Sequence, residues 1–284
     1  MRGVGVSTGL FVLGMHRSGT SAATRVVNLL GVATAARADL IPPAPLNPTG
    51  FWESASLNDV NDEILRRFGG DSGNPPPLPT GWQTDPRVLG LAAAAERVFF
   101  RSITTGDWVW KDPRTCLTLP FWRRVTRARA VVLIVYRNPL EVAASLEAHH
   151  GVRKAAALAL WERYVRDALL HARDLPTYIL SYRQLLMSPT DIADELHEFL
   201  ARVGFHLPVR DRVHDVVSSS VVPALRHYES STASFLRGRG VSESQRRLFV
   251  QLEENKGPHP GSPRLVAEAT EEPGTPVFVE QVIS

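Results

Sequence analysis

Residues 11–21 read FVLGMHRSGTS: a short apolar run, a glycine, four residues, a second glycine and then two hydroxyl residues. A phosphate-binding loop that follows a buried strand and opens a helix requires G-x-x-x-x-G-K-[ST]. Gly14 and Gly19 stand at that separation and Ser21 closes the pattern, but Thr20 occupies the lysine position and Arg17 lies three residues earlier. The flanks supply the context the motif needs. The run ending at Gly14 has the apolar continuity of a buried parallel strand. From Gly19 onward Ala22, Val26, Leu29 and Leu30 share one helical face, with Gly31 as the stop. Backbone amides of Ser18, Gly19, Thr20 and Ser21 at such a helix start form a nest for an oxyanion, to which the side-chain hydroxyls add donors. Gly19 lets the chain approach that anion closely. Taken alone, the stretch reads equally as a strand–helix turn that holds no ligand.

Working outward, AVVLIVYRNP (130–139) is the strongest strand, with seven apolar residues before Arg137 and Pro139 opening a helix. WVWKDPR (108–114) and PTYILSY (176–182) read as two further strands. SLNDVNDEILRRFGG (56–70) reads as an amphipathic helix capped by a serine, and three more helical stretches follow residue 86. Strands alternating with helices predict an α/β fold, a three-layer P-loop-type parallel sheet flanked by helices. Residues 1–254 read as a single domain and 255–284 as a flexible C-terminal tail, because the composition changes at Asn255. The proline- and glycine-rich stretch 69–87 predicts a mobile lid or a disordered loop.

Of 32 basic residues only Lys111, Lys154 and Lys256 are lysines. Guanidinium forks suit phosphate or sulfate recognition; a biased genome would give the same composition. The lone cysteine, Cys116, excludes an internal disulfide and fits a reducing compartment. No stretch approaches the ~20 apolar residues of a membrane span, and the apolar part of the N-terminus is too short for a signal peptide. A cytoplasmic protein without membrane partners is expected. Arg123, Arg124, Arg127 and Arg129 read as a solvated helix face, and no nucleic-acid module accompanies them.

Two absences discriminate among nucleotide sites. A nucleoside triphosphatase needs the loop lysine and an acidic residue after a strand to hold Mg²⁺. This chain has Thr20 for the first and Arg137 for the second. The pattern favours an anionic nucleotide bound without a metal.

HRSGTS resembles the 5′-phosphosulfate loop of the sulfotransferases that use 3′-phosphoadenosine 5′-phosphosulfate (PAPS). VYRNPLEVAASL resembles their 3′-phosphate motif, here Arg137 and Ser145. TYILSYRQLLMSPTDIADELHEFL is similar to a third block of that family, with Arg183 and Gln184 where acidic residues are usual. The three blocks are in register over residues 8–205, and WKDPR and NPTGFWE look like a bacterial subgroup with diverse acceptors. The resemblance implies metal-independent, in-line transfer of a sulfuryl group to a hydroxyl or amine of a small-molecule or carbohydrate acceptor, with 3′,5′-adenosine bisphosphate (PAP) as product. His16, Arg17, Ser18, Gly19, Thr20, Ser21, Arg137 and Ser145 are then the cofactor-binding residues. Arg17 matches the family's loop cation and Lys111 the cation at the end of its strand. A salt bridge of Lys111 or Arg114 with Asp112 is the other reading of WKDPR. Glu53 is the first candidate for the general base, its pKa raised by Phe51 and Trp52, and Asp112 the second; His149 and His150 read as a solvated helix cap. Trp82, Phe99 and Phe100 suit an acceptor pocket or the core. FLRGRG (235–240) is a compositional candidate for the last 3′-phosphate contact. A P-loop kinase using ATP and Mg²⁺, and a non-catalytic nucleotide-binding protein of the same fold, remain as alternatives. Oligomeric state is not legible.

Overall fold

A computed structural model describes residues 7–264, apart from 46, 104–105, 209–212, 222–225 and 227. Among these residues, strands β1 (Thr8–Leu13), β2 (Trp108–Lys111), β3 (Arg129–Tyr136), β4 (Thr177–Ser181) and β5 (Gly257–His259) form one sheet in the order β2-β1-β3-β4-β5. The first four run parallel, and β5 joins β4 antiparallel at the edge. The helices are α1 (Thr20–Leu29), α2 (Ala55–Arg67), α3 (Pro86–Ser102), α4 (Thr115–Thr126), α5 (Pro139–His150), α6 (Lys154–His171), α7 (Tyr182–Met187), α8 (Pro189–Arg202), α9 (Val213–Ser220), α10 (Thr232–Leu236) and α11 (Glu243–Glu254).

The period of two along the central strands sets the layers. Leu10 and Val12 of β1 and Val131, Leu133 and Val135 of β3 face a core shared with α1, α8 and α9. Their neighbours Phe11, Leu13, Val132, Ile134 and Tyr136 face the opposite core, shared with α2 to α6 and α11. Burying both faces explains why these strands read as unbroken apolar runs, each large aliphatic side chain contributing about 1.5–3 kcal/mol. This is the expected three-layer α/β arrangement.

The strand order positions the site. From β1 the chain moves outward to β2, then crosses back to place β3 on the other side of β1. Such a reversal opens a crevice beyond the carboxyl ends of the two central strands, where α/β sheets bind ligands. The loop 14–19 leaves β1 at that crevice, and Arg137 follows β3 into it.

Several local expectations change. The cap of α2 is Ser54, whose Oγ accepts from Leu57 N at 3.1 Å, two residues earlier than the helical pattern begins. The stretch 69–87 is pinned in place: Tyr164 donates to the Ser72 carbonyl at 2.8 Å, and Trp82, 4% exposed, stacks on Phe121 within the core. Residues 257–259 belong to the sheet and Ser262 is buried, so the fold continues past Asn255; the rest of the expected tail, 265–284, lies outside the described residues. Phe99 is core, whereas Phe100 is exposed.

Candidate functional site

A cleft of about 380 Å³ opens at the switch point, lined by the loop and first turn of α1, by Ile41, Asn47, Pro48, Thr49, Phe51 and Glu53, by Asn58, by Lys111 with Pro113 and Arg114 after it, and by Arg137, Leu146, His150 and Tyr182. His16, Arg17, Gly19, Thr20, Ser21, Glu53, Lys111 and Arg137, all singled out in the sequence, converge on it. Ser145 lies just behind and accepts from Arg17 Nε at 2.9 Å, so the glycine loop and the VYRNP block meet directly. Ser18 and Asp112 are completely buried and do not line the cleft.

The loop has the shape of an anion cradle. Gly19 sits at φ 90°, and a Cβ there would stand 2.1 Å from the Tyr182 ring, so only glycine fits. Gly19 offers no side-chain cap to α1, leaving the first-turn amides to a ligand or water. Ser18 differs from expectation: its amide donates to the Met15 carbonyl at 3.1 Å, which removes it from the nest, and its buried Oγ finds no hydrogen-bond partner among the described residues. Arg17, at φ 67°, is held in the left-handed region. Burial and then the neighbouring Arg137 guanidinium lower its pKa. Two like charges brought together this way are what an oxyanion relieves.

Arg137 is 9% exposed and held on three sides. Nε donates to Glu141 at 2.6 Å, Nη1 to the Arg17 carbonyl at 3.3 Å and Nη2 to the Tyr228 carbonyl at 3.0 Å. Glu141 also accepts from Arg226 and from the Ser230 amide, at 2.9 Å for the latter. The downstream residues brought to this end of the site are therefore Arg226, Tyr228 and Ser230. FLRGRG contributes no lining residue; its Leu236 and Gly238 carbonyls accept from Arg246 instead.

On the other wall Lys111, 2% exposed, forms an ion pair with Glu53. Asn58 Nδ2 donates to the second Glu53 oxygen at 2.7 Å. Burial alone would raise the Glu53 carboxyl, but the charge and hydrogen bond of Lys111 and the bond from Asn58 outweigh it and bring the pKa down. The expectation of a raised pKa is thus reversed, because aromatic neighbours cost less than a paired ammonium returns. Trp52 itself is half-buried and does not line the cleft; it sits at φ 59°, with Arg25 5.0 Å above its ring. Asp112 accepts from Asn61 at 2.6 Å and from the Arg114 amide at 2.9 Å, and pairs with the Arg114 guanidinium at 3.2 Å. Of the two sequence readings of WKDPR, Lys111 takes the cleft and Arg114 takes Asp112. Arg114 also pairs with Asp62 at 2.5 Å.

His16 lines the cleft against Tyr164, and burial followed by the Arg114 charge lowers its pKa from 6.5 to about 3. His149 and His150 form the last turn of α5, with Gly151 as the cap. His150 is half-buried on the cleft, not a solvated cap, and burial and Arg17 lower its pKa. Tyr182, Asn58, Arg114 and Glu141 were missed as site residues; a tyrosine closing a strand and an acid four residues after Arg137 were the only local signals.

No protein-family model matches the sequence, and no curated protein matches it. Among solved structures, a sulfotransferase domain from the curacin biosynthetic pathway superposes with a TM-score of 0.52 at 15% identity, covering 90% of this chain and 100% of that one. The fold is that of a sulfotransferase domain. A sulfotransferase domain from a Synechococcus olefin synthase gives 0.48 at 15% identity over 89% of this chain and 96% of that one. A sulfotransferase from Mycobacterium tuberculosis gives 0.46 at 16% over 87% and 78%. No helix among the described residues is long and apolar enough to cross a membrane.

Proposed function

We propose that the chain is a PAPS-dependent sulfotransferase of the cytoplasm, acting on a hydroxyl or amine of a small-molecule or carbohydrate acceptor. The observation that carries this reading is the meeting of Arg17 and Arg137, from two distant motifs, over a glycine loop that has no capping side chain. The residues fit a nucleotide with two separated anionic groups. Arg17 and the first-turn amides of α1 would hold the 5′ end; Arg137, with Ser145 behind, would hold the 3′-phosphate. Tyr182 packs over Gly19 between them.

The donor, when bound, supplies an activated sulfuryl group. The chain provides fixed positive charge at Arg17 and Lys111, aimed where negative charge develops; such preorganised donors act without reorganisation. Glu53, held ionised by Lys111 and Asn58, is a proton acceptor at neutral pH, at a wall whose lining includes apolar Ile41, Pro48 and Phe51. His150 supports a second reading of the base: it lines the same cleft, and its lowered pKa keeps the imidazole neutral. Asp112 is reassigned to structure, since its oxygens serve Asn61 and Arg114 away from the cleft.

Calorimetric titration with PAP, ADP, and ATP with Mg²⁺ tests the donor. PAP should bind at least tenfold more tightly in EDTA than ADP does, about 1.4 kcal/mol. Arg137→Ala should lower PAP affinity by about ten- to a hundredfold, the range of a charged hydrogen bond. A preference for ATP with Mg²⁺ would replace this reading by a kinase.

A further inference from the structure

Two buried asparagines stand one turn apart on α2 and are used differently. Asn61, fully buried, has both ends of its amide filled: Nδ2 donates to Asp112 at 2.6 Å, and Oδ1 accepts from Thr118 Oγ1 and Trp122 Nε1, each at 2.7 Å. It does not line the cleft. Asn58, 7% exposed, does line it, and its Nδ2 donates to Glu53 at 2.7 Å. Its Oδ1 is buried and has no hydrogen-bond partner among the described residues.

The amide cannot be turned the other way. Lys111 holds Glu53 ionised, and an ionised carboxylate only accepts hydrogen bonds, so the end that faces it has to be the NH2. The carbonyl is the end left over. Glu53 and Asn58 Oδ1 thus set two hydrogen-bond acceptors next to each other, and Lys111 is committed to Glu53. Buried side-chain polar atoms in folded proteins nearly always have a partner. The partner that Asn58 lacks has to be a donor.

We propose that Asn58 Oδ1 is a specificity determinant that takes a second N–H of the reacting group, so that the acceptor class is a primary amine and not an alcohol. The inference rests on the sulfuryl-transfer reading above, with Glu53 as the base. The amine arrives as an ammonium ion and loses one proton to solvent, which leaves a nitrogen lone pair and two N–H bonds. The lone pair forms the N–S bond while the S–O bond to the 5′-phosphate of the donor breaks, its electron pair leaving on the phosphate oxygen. One N–H proton passes to Glu53. The other stays on the nitrogen of the sulfamate product and keeps Asn58 Oδ1 satisfied throughout. A hydroxyl has a single proton; once Glu53 takes it, the Asn58 carbonyl is buried without a donor, which costs more than an ordinary hydrogen bond contributes. Ile41, Pro48 and Phe51 line the same cleft and suit an apolar carbon skeleton.

Matched probes test this: benzylamine, N-methylbenzylamine and benzyl alcohol, with the corresponding hexyl series. Turnover is read as PAP formed from PAPS, and binding by calorimetry on the free and the PAP-saturated protein. Benzylamine should exceed both analogues in kcat/KM, and benzyl alcohol in affinity, by at least about tenfold, the scale of an unpaired buried polar group. The N-methyl compound is a comparable nucleophile with one N–H fewer, so reactivity alone does not produce that gap. Asn58→Ala and Asn58→Leu should bring the three probes within about threefold of one another. Loss of Glu53 positioning or of fold in these variants lowers all three together and leaves their ratio unmoved. An alcohol or N-methylamine used as well as the primary amine overturns the proposal, and so does a wild-type ratio retained in both variants. A protein that binds no PAP refutes the donor reading instead; the affinities of benzylamine and benzyl alcohol for the free protein then still decide what Asn58 prefers.

Discussion

The two walls of the cleft handle charge in opposite ways. On the β1–β3 side Arg17 and Arg137 approach each other, and Glu141, the carboxylate in contact with Arg137, lies behind it and is shared with Arg226. On the β2 side each cation has its own carboxylate: Lys111 pairs with Glu53, and Arg114 with Asp112 and Asp62. The first wall keeps an excess of positive charge that an incoming anion can satisfy. The second gives every cation at least one carboxylate, so its reactive pair can remain buried without a ligand. Removing a cation should therefore cost binding or turnover on one side and folding on the other.

The largest effect is expected at Lys111. Lys111→Met leaves the Glu53 carboxylate buried and unpaired, a class of change that costs about 3–5 kcal/mol. Urea unfolding should show this loss, and the double variant Lys111→Met/Glu53→Gln should recover at least half of it. A single variant as stable as wild type would mean that the pair is not isolated from water, and the contrast between the walls would fail. Arg17→Ala should behave in the reverse manner. Donor consumption, with water or an added acceptor, should fall by a factor corresponding to about 2.7–4 kcal/mol, the range for a lost preorganised donor. Its urea midpoint should scarcely move, because the like charge of Arg137 is relieved. An Arg17→Ala protein that unfolds readily, or one that retains full turnover, would show that the arginine is a structural partner of Ser145 and nothing more.

This asymmetry also decides what could be read before the structure was known. The β1–β3 wall is built from contiguous segments, each with a local pattern: an apolar run, a glycine spacing and an arginine after a strand. Its members need only the parallel sheet to bring them together, and FVLGMHRSGTS and VYRNP announce them. The other wall depends on contacts distant in sequence. Lys111 meets Glu53 across 58 residues and Asp112 meets Asn61 across 51, so of the WKDPR contacts only the Asp112–Arg114 pair is visible locally. For the same reason the sign of the Glu53 shift was misjudged: Phe51 and Trp52 are adjacent in sequence, whereas Lys111, which dominates in the lowering direction, is not. The group Arg226, Tyr228 and Ser230 carries no motif. Its role near Arg137 comes from the Tyr228 carbonyl and from Arg226, which pattern reading cannot separate from any other arginine in an arginine-rich chain.

His16 lies where the two walls meet and yields the smallest effect. Its ring pKa is lowered to about 3, first by burial and then by Arg114, with Lys111 and His150 adding to the fall and Glu53 opposing it. An unfolded chain protonates this histidine below about pH 6.5. The folded protein resists until about pH 3, so between these values the unfolded state binds more protons. Stability at His16 is thus fully present above pH 6.5 and declines as the pH falls, by at most about 1.4 kcal/mol per pH unit. His150 and His171, whose pKa values are also lowered, slope in the same direction, so the test is a difference. Urea unfolding of wild type and His16→Gln at pH 7 and pH 5 should show the variant losing up to about 2 kcal/mol less across that interval. Equal losses would mean that His16 takes up its proton normally in the folded state. The carboxylates of the β2 wall would then have to reach His16 more strongly than Arg114 and Lys111 do, the reverse of the order the structure gives them.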